Sequence, residues 1–140
     1  MKKKSILIIV GIVGLVAAYF VWNNFLRTAP SMKRLTADVA VTAERLYNDF
    51  DADEQTSNNK YLNKIVEVTG EVSEVETSEG SLPVISLKTS GFGVIKCTME
   101  SQLGEEELAQ IRVNETITLR AECIGFLLDV LLIRGIIINN

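Results

Sequence analysis

Residues 64–75 read Lys64-Ile-Val-Glu-Val-Thr-Gly70-Glu-Val-Ser-Glu-Val75, and this stretch decides the fold. Ile65, Val68, Val72 and Val75 punctuate a run rich in β-branched residues, which predicts a long strand. Gly70 sits in its middle, and a glycine inside a strand marks a bulge or a sharp bend. Downstream the period of two continues. Thr77–Ser81 is a turn, and Val84–Lys88 alternates with Ile85 and Leu87 on one face. After a second turn at Thr89–Gly91, Phe92–Met99 places Ile95, Cys97 and Met99 on one face and Val94, Lys96 and Thr98 on the other. Glu105–Ile111 reads as a short helix with three glutamates in its first turn, where the helix dipole favours them. Thr116–Cys123 alternates again, with Ile117, Leu119, Ala121 and Cys123 inward, and Leu128–Ile138 is a final, almost wholly apolar strand.

Upstream, Leu35, Val39, Ala43, Leu46 and Phe50 recur at three- and four-residue spacing. That predicts an amphipathic helix over Thr36–Phe50, capped by Thr36 and ended by the polar run Asp51–Asn59. The order is therefore helix, then β-β-β-α-β-β with a kinked first strand, the pattern of a five-stranded OB-type barrel in a mainly β domain. The alternative is an open α+β sheet with the helix on one face. A barrel has no free edge, which suits so apolar a last strand.

The first residues are of another kind. Lys2–Lys4 precede an uncharged apolar run to Trp22, whose 18 residues from Ser5 span about 27 Å as a helix. That approaches the roughly 30 Å of a bilayer's hydrocarbon core, and Tyr19 and Trp22 stand where rings favour the interface. A cleaved signal peptide ending at Val16-Ala17-Ala18 is the rival, but it would leave Tyr19-Phe-Val-Trp22 as an exposed apolar stub. The expectation is an uncleaved anchor over residues 1–26, a connector over 27–35 and the barrel domain over 36–140. Lys2–Lys4 and the α-amino group outweigh Arg27, Lys33 and Arg34, so the N-terminus is expected in the cytoplasm and the domain outside it.

Charge and composition limit what the domain does. Of 14 basic side chains six precede Leu35, whereas all 18 acidic ones follow it, so residues 35–140 carry eight against 18, a net −10. Such a domain repels phosphate backbones, and nucleic acid is not the expected partner. There is no histidine, which removes His-based acid–base chemistry, Ser-His and Cys-His pairs and the usual zinc sites. Asp49-x-Asp51-x-Asp53 resembles the start of a calcium loop. It has Glu54 where glycine is needed and Lys60 where a bidentate glutamate is needed, so no metal is expected. No cofactor and no enzyme are expected either, because no nucleophile–base pair or phosphate loop is present.

OB domains usually bind on the face of their second and third strands. By alternation that face holds Val84, Ser86, Lys88, Phe92, Val94, Lys96 and Thr98; Lys88, Phe92, Val94 and Lys96 are its candidate contact residues. A single phase over the last strand points Leu131, Ile133, Gly135 and Ile137 inward and leaves Val130, Leu132 and Ile136 outward. These three are an apolar interface, covered by the Thr36–Phe50 helix, a protein partner or a second copy. The helix has a second option, to plug one end of the barrel. Cys97 and Cys123 point inward from strands that are not neighbours in such a barrel. They are two buried thiols, or a disulfide if their Cα atoms lie within about 7 Å.

The segments Asn58-Asn-Lys-Tyr-Leu-Asn-Lys-Ile-Val-Glu-Val-Thr-Gly-Glu-Val72, Val94-Ile-Lys-Cys97 and Ala121-Glu-Cys-Ile-Gly125 resemble the tRNA anti-like OB-fold family of bacterial membrane-associated and lipoprotein domains. The resemblance covers residues 36–138 and implies the barrel, with kinship to anticodon-binding OB domains. Members of that family often carry a further cysteine in the last strand, where this chain has Arg134-Gly135.

Overall fold

The computed structural model describes residues 2–25 and 29–138. Met1, residues 26–28 with Arg27, and Asn139–Asn140 lie outside that range. The chain divides into two units, Met1–Pro30 and Ser31–Asn140.

The first unit is one helix, α1 (Lys2–Phe25). Its 24 residues measure about 36 Å. The stretch Lys3–Asn24 has a mean hydropathy of 2.5, so it is long and apolar enough to cross a membrane. Its described large apolar side chains are exposed around the circumference, as befits a helix whose apolar surface is not one stripe.

In the second unit a 3-10 turn at Met32–Arg34 leads into strand β1 (Val39–Thr42), helices α2 (Ala43–Ala52) and α3 (Glu54–Tyr61), and strands β2 (Ile65–Glu76), β3 (Val84–Leu87) and β4 (Ile95–Met99). Helix α4 (Glu105–Gln110) then precedes β5 (Thr116–Leu127) and β6 (Asp129–Ile138). Strands β2 to β6 close a five-stranded barrel, mainly antiparallel, with a parallel β4–β6 pair. The bend at Gly70 makes closure work. Residues 65–71 of β2 pair with β5, whereas Val72–Glu76 pair with β3. A Cβ at Gly70 would stand 2.6 Å from Ala43 Cβ, so glycine lets α2 start directly against the bent strand. Within β2 the core residues are Val66, Val68 and Val72, while Ile65 is half-buried.

The expected helix over Thr36–Phe50 is corrected. Val39–Thr42 is instead a strand, paired parallel to β2 in the register Val39↔Val66. Asp38 fixes its start, because its carboxylate accepts from Ile65 N–H (2.9 Å) and its own N–H donates to Ile65 O (2.7 Å). The helix begins at Ala43, and its cap is Thr42, whose hydroxyl accepts from Arg45 N–H. The polar run after it is also helical: Asp53 accepts from Thr56 N–H and starts α3.

Nor does the helix lie on the outward face of the last strand. Leu46, Tyr47 and Phe50 fill one end of the barrel. Phe50 stacks on Phe126 (centroids 5.6 Å apart) and packs beside Tyr61 (5.8 Å), and Tyr47 meets Phe126 edge-on. Each buried aromatic contributes a few kcal/mol. Asp49 ties α2 to α3 by accepting from Tyr61 Oη (2.6 Å), Lys60 Nζ and Arg45 Nε. Burial opposes its charge, but these hydrogen bonds outweigh that and hold its carboxyl at about 2.

Candidate functional site

The candidate face is the outward side of β3, β4, β5 and β6, and its residues are set by the register of β6. Val130 and Leu132, expected outward, are core residues at 0% and 1% exposure. Leu131 and Ile133 are the half-buried, outward residues. The reason is a bulge. Pairing with β5 jumps from Glu122↔Ile133 to Arg120↔Ile136, and Arg134 takes φ +57°. The inward phase therefore runs Val130, Leu132, then Gly135 and Ile137. A single phase assigns only the second half of the strand correctly, because one extra residue exchanges the two faces. Ile136, beyond the bulge, is half-buried outside the core.

Glycine is required at 135, since a Cβ there would lie 2.3 Å from Cys97 Sγ. Cys97 and Cys123 are both buried and free, so the candidate disulfide is corrected too. Both stand opposite Leu132, on the two strands flanking β6. Two strand spacings put their Cα atoms about 9.5 Å apart, beyond disulfide reach. Burial pushes the Cys97 thiol up to about 12 and that of Cys123 to about 11.

Across this face runs a groove of about 280 Å³. Val84, Ile124, Leu131 and Ile133 give it apolar walls, with Lys96 and Thr98 along them. The face also holds Ser86 Oγ, buried and without a hydrogen-bond partner among the described residues, in register with Lys96. An orphan hydroxyl of this kind is satisfied by water or a bound group.

The four candidate contact residues do not converge. Lys88 is drawn to the β2 flank, where its Nζ donates to Glu71 and Asn114, each at 2.5 Å. Lys96 is drawn to the opposite flank and lies 3.7 Å from the Asp129 carboxylate. Val94 is structural: its N–H donates to Asp129 (2.9 Å) and its carbonyl accepts from Val130 N–H (3.0 Å). Phe92 stands free in solvent, 103% exposed.

Phe92 is held out by a rigid loop. A Cβ on Gly91 would meet the Tyr47 ring at 2.0 Å, and one on Gly93 would meet Leu128 O at 2.1 Å. Tyr47 Oη accepts from Gly93 N–H (3.0 Å), and Glu44 accepts from Ser90 N–H (2.7 Å) and the Ser90 hydroxyl. The Ser90 hydrogen bonds keep the Glu44 carboxyl below its ordinary range. Because Gly93 touches Leu128, the β5–β6 turn is this loop's neighbour. Leu127 and Leu128 are 78% and 65% exposed there, and Leu128 adopts φ +71°, a region leucine disfavours. Phe92, Leu127 and Leu128 form an apolar tip at the end of the groove face. Alternation misses this tip, since two leucines in a turn read as strand; Gly125 and Asp129 around them are the only turn signals.

The aspartates of the calcium-like stretch are used locally. Asp49 is bonded as described, and Asp53 caps α3. Among the described residues no group of three acidic or cysteine side chains is arranged to hold a metal.

Residues 1–137 match the tRNA_anti-like family, over an apolar helix and a closed barrel of that form. The chain belongs to the tRNA_anti-like family. Among solved structures, this tRNA_anti-like chain resembles one from Klebsiella pneumoniae subsp. pneumoniae, described as a "putative nucleic acid-binding lipoprotein". The TM-score is 0.52 at 10% identity, over 71% of this chain and 91% of that one. At that identity the likeness is one of fold. No curated protein matches the chain in sequence.

Proposed function

We propose that this tRNA_anti-like protein is a membrane-anchored, non-catalytic binding module that holds a protein partner against the outward face of β3, β4 and β6. The observation that carries this is the chemistry of the face. Its groove is walled by Val84, Ile124, Leu131 and Ile133, and both of its lysines are already committed to carboxylates. Engaged lysines offer little to a phosphate chain, whereas apolar walls and the exposed tip Phe92, Leu127 and Leu128 suit a protein surface. The net −10 of residues 35–140 also favours a partner with basic groups at its rim. Absence of histidine and of a nucleophile–base pair supports a binding role over catalysis. Helix α1 supplies the anchor, and Lys2–Lys4 support an inside N-terminus with the barrel on the extracytoplasmic side of a bacterial cytoplasmic membrane.

The description of the Klebsiella lipoprotein favours a second reading, oligonucleotide binding on the same face, with Phe92 stacking a base and Lys96 meeting a phosphate. Fluorescence anisotropy separates the two. Labelled single-stranded 12-mers of RNA and DNA should show no binding to the full chain up to about 100 µM at physiological salt. Micromolar, salt-sensitive binding that Lys96→Glu or Lys88→Glu abolishes would move the function to nucleic acid.

A further inference from the structure

The two ends of the barrel are closed differently. Tyr47 of α2 meets the chain at Gly93, before β4 begins, and with Leu46 and Phe50 it fills that end. Past the other end of β4, α4 crosses to β5 without burying any of its residues. A cavity of about 300 Å³ lies beside it, at the low end of the range for small-molecule sites. It shares no lining residue with the outward groove. Met99, Ile117 and Ile137 give it an apolar floor, but Lys33, Ser101, Glu107 and Gln110 make much of its wall polar.

Those polar groups are not engaged with one another. The Lys33 side chain is exposed and forms no ion pair among the described residues. Glu107 uses one carboxylate oxygen, Oε2, to accept from Gly104 N–H at 2.9 Å, which leaves Oε1 open. The Ser101 hydroxyl and the Gln110 amide make no hydrogen bond among the described residues. A cation and an anion therefore line one cavity without meeting. The outward face is the opposite case, since Lys88 and Lys96 there are held by Glu71 and Asp129. Opposite charges kept apart above an apolar floor complement a ligand that itself carries both charges and an apolar group.

We propose that this cavity binds a small aliphatic zwitterion, with its carboxylate on Lys33, its ammonium on Glu107 Oε1 and its side chain on the floor. Ser101 and Gln110 supply hydrogen bonds to the same charged groups. A free α-amino acid and a dipeptide share this chemistry. A molecule with one charge leaves either Lys33 or Glu107 without a counterpart. The site stands whether or not the outward face holds a protein.

Methyl NMR of the full chain in mild detergent, isotope-labelled at Ile, Leu and Met, tests this. One arm uses L-leucine and the other leucyl-leucine, both doubly charged at neutral pH. For each, an N-acetylated analogue lacks the ammonium and an amidated analogue lacks the carboxylate. The expected result is a saturable shift of the Met99, Ile117 and Ile137 methyls by at least one zwitterion, with a Kd below about 10 mM. The arm that binds more tightly identifies the source. Each singly charged analogue should bind about fivefold more weakly than its parent, the scale of one exposed ion pair. Lys33→Gln should abolish the preference over the amide and keep that over the acetylated form. Glu107→Gln, which can still cap Gly104, should do the reverse. A merely structural role for either residue would not divide the two preferences in this way. Ile117→Trp should close the cavity to every probe, with near-UV circular dichroism confirming the fold. No saturable shift from either zwitterion, equal binding of parents and analogues, or shifts centred on Leu131 and Ile133 would overturn the proposal.

Discussion

Two neighbouring leucines should respond very unequally to truncation. Leu132 is 1% exposed and stands opposite both Cys97 and Cys123, so strands flank it on each side. A leucine so enclosed leaves a cavity that its neighbours cannot fill, and Leu132→Ala should cost about 3–4 kcal/mol. Leu131 is half-buried in the wall of the outward groove, and Leu131→Ala removes only part of a buried side chain, about 1 kcal/mol. For a domain of this size these figures correspond to a fall in Tm of about 15–25 °C against about 5 °C. Urea and thermal unfolding of the full chain in mild detergent, followed by the near-UV signal of the buried tyrosines, reads the difference. If Leu131→Ala proved as costly as Leu132→Ala, the phase of β6 described above would be wrong, and with it the composition of the proposed partner face.

Asp49 gives a pH signature. Its folded carboxyl sits at about 2, below its ordinary 3.8, so the ionised folded form is favoured. The resulting stability is complete above about pH 4 and is lost as pH falls towards 2, a change of about 2 kcal/mol. Asp49→Asn should be less stable at pH 6 and should flatten this acid limb; an unchanged limb would assign it to other carboxylates. Cys97 and Cys123 should resist a maleimide at pH 8 in the folded protein and both react in denaturant, with no disulfide after mild oxidation. A cross-linked species in the mass spectrum would contradict their separation across β6. A reporter fused after Asn140 should behave as extracytoplasmic; cytoplasmic activity would reverse the orientation read from Lys2–Lys4.

The barrel was legible because its signals are local. Alternation in Val84–Leu87, Ile95–Met99 and Leu119–Cys123 names the inward residues, and Gly70 marks the bend. What the pattern hides depends on tertiary pairing. Val39-Ala-Val-Thr42 suits a helical stripe as well as a strand, and only the edge left free on β2 makes it a strand. Helix α3 has little apolar periodicity; its hold on the fold is Tyr61, reached through Asp49. In β6 every residue but Asp129, Arg134 and Gly135 is apolar, so composition gives no clue to which face is inside. The bulge at Arg134 then divides the strand into two phases, which displaced the candidate interface by one residue. Of the tip only Phe92 was identified, because Leu127 and Leu128 occupy a turn without its usual residues.

Site-specific photo-crosslinking in intact membranes tests the partner face most directly. A photoreactive residue is placed at Leu131, in the groove, at Phe92, on the tip, and at Thr69, an exposed control on β2. The expected result is one nuclease-resistant protein adduct shared by positions 131 and 92, absent from position 69, and lost when Ile133→Glu is added. Equal adducts from position 69, a nuclease-sensitive adduct, or none from positions 131 and 92 would contradict a protein-binding role for this face.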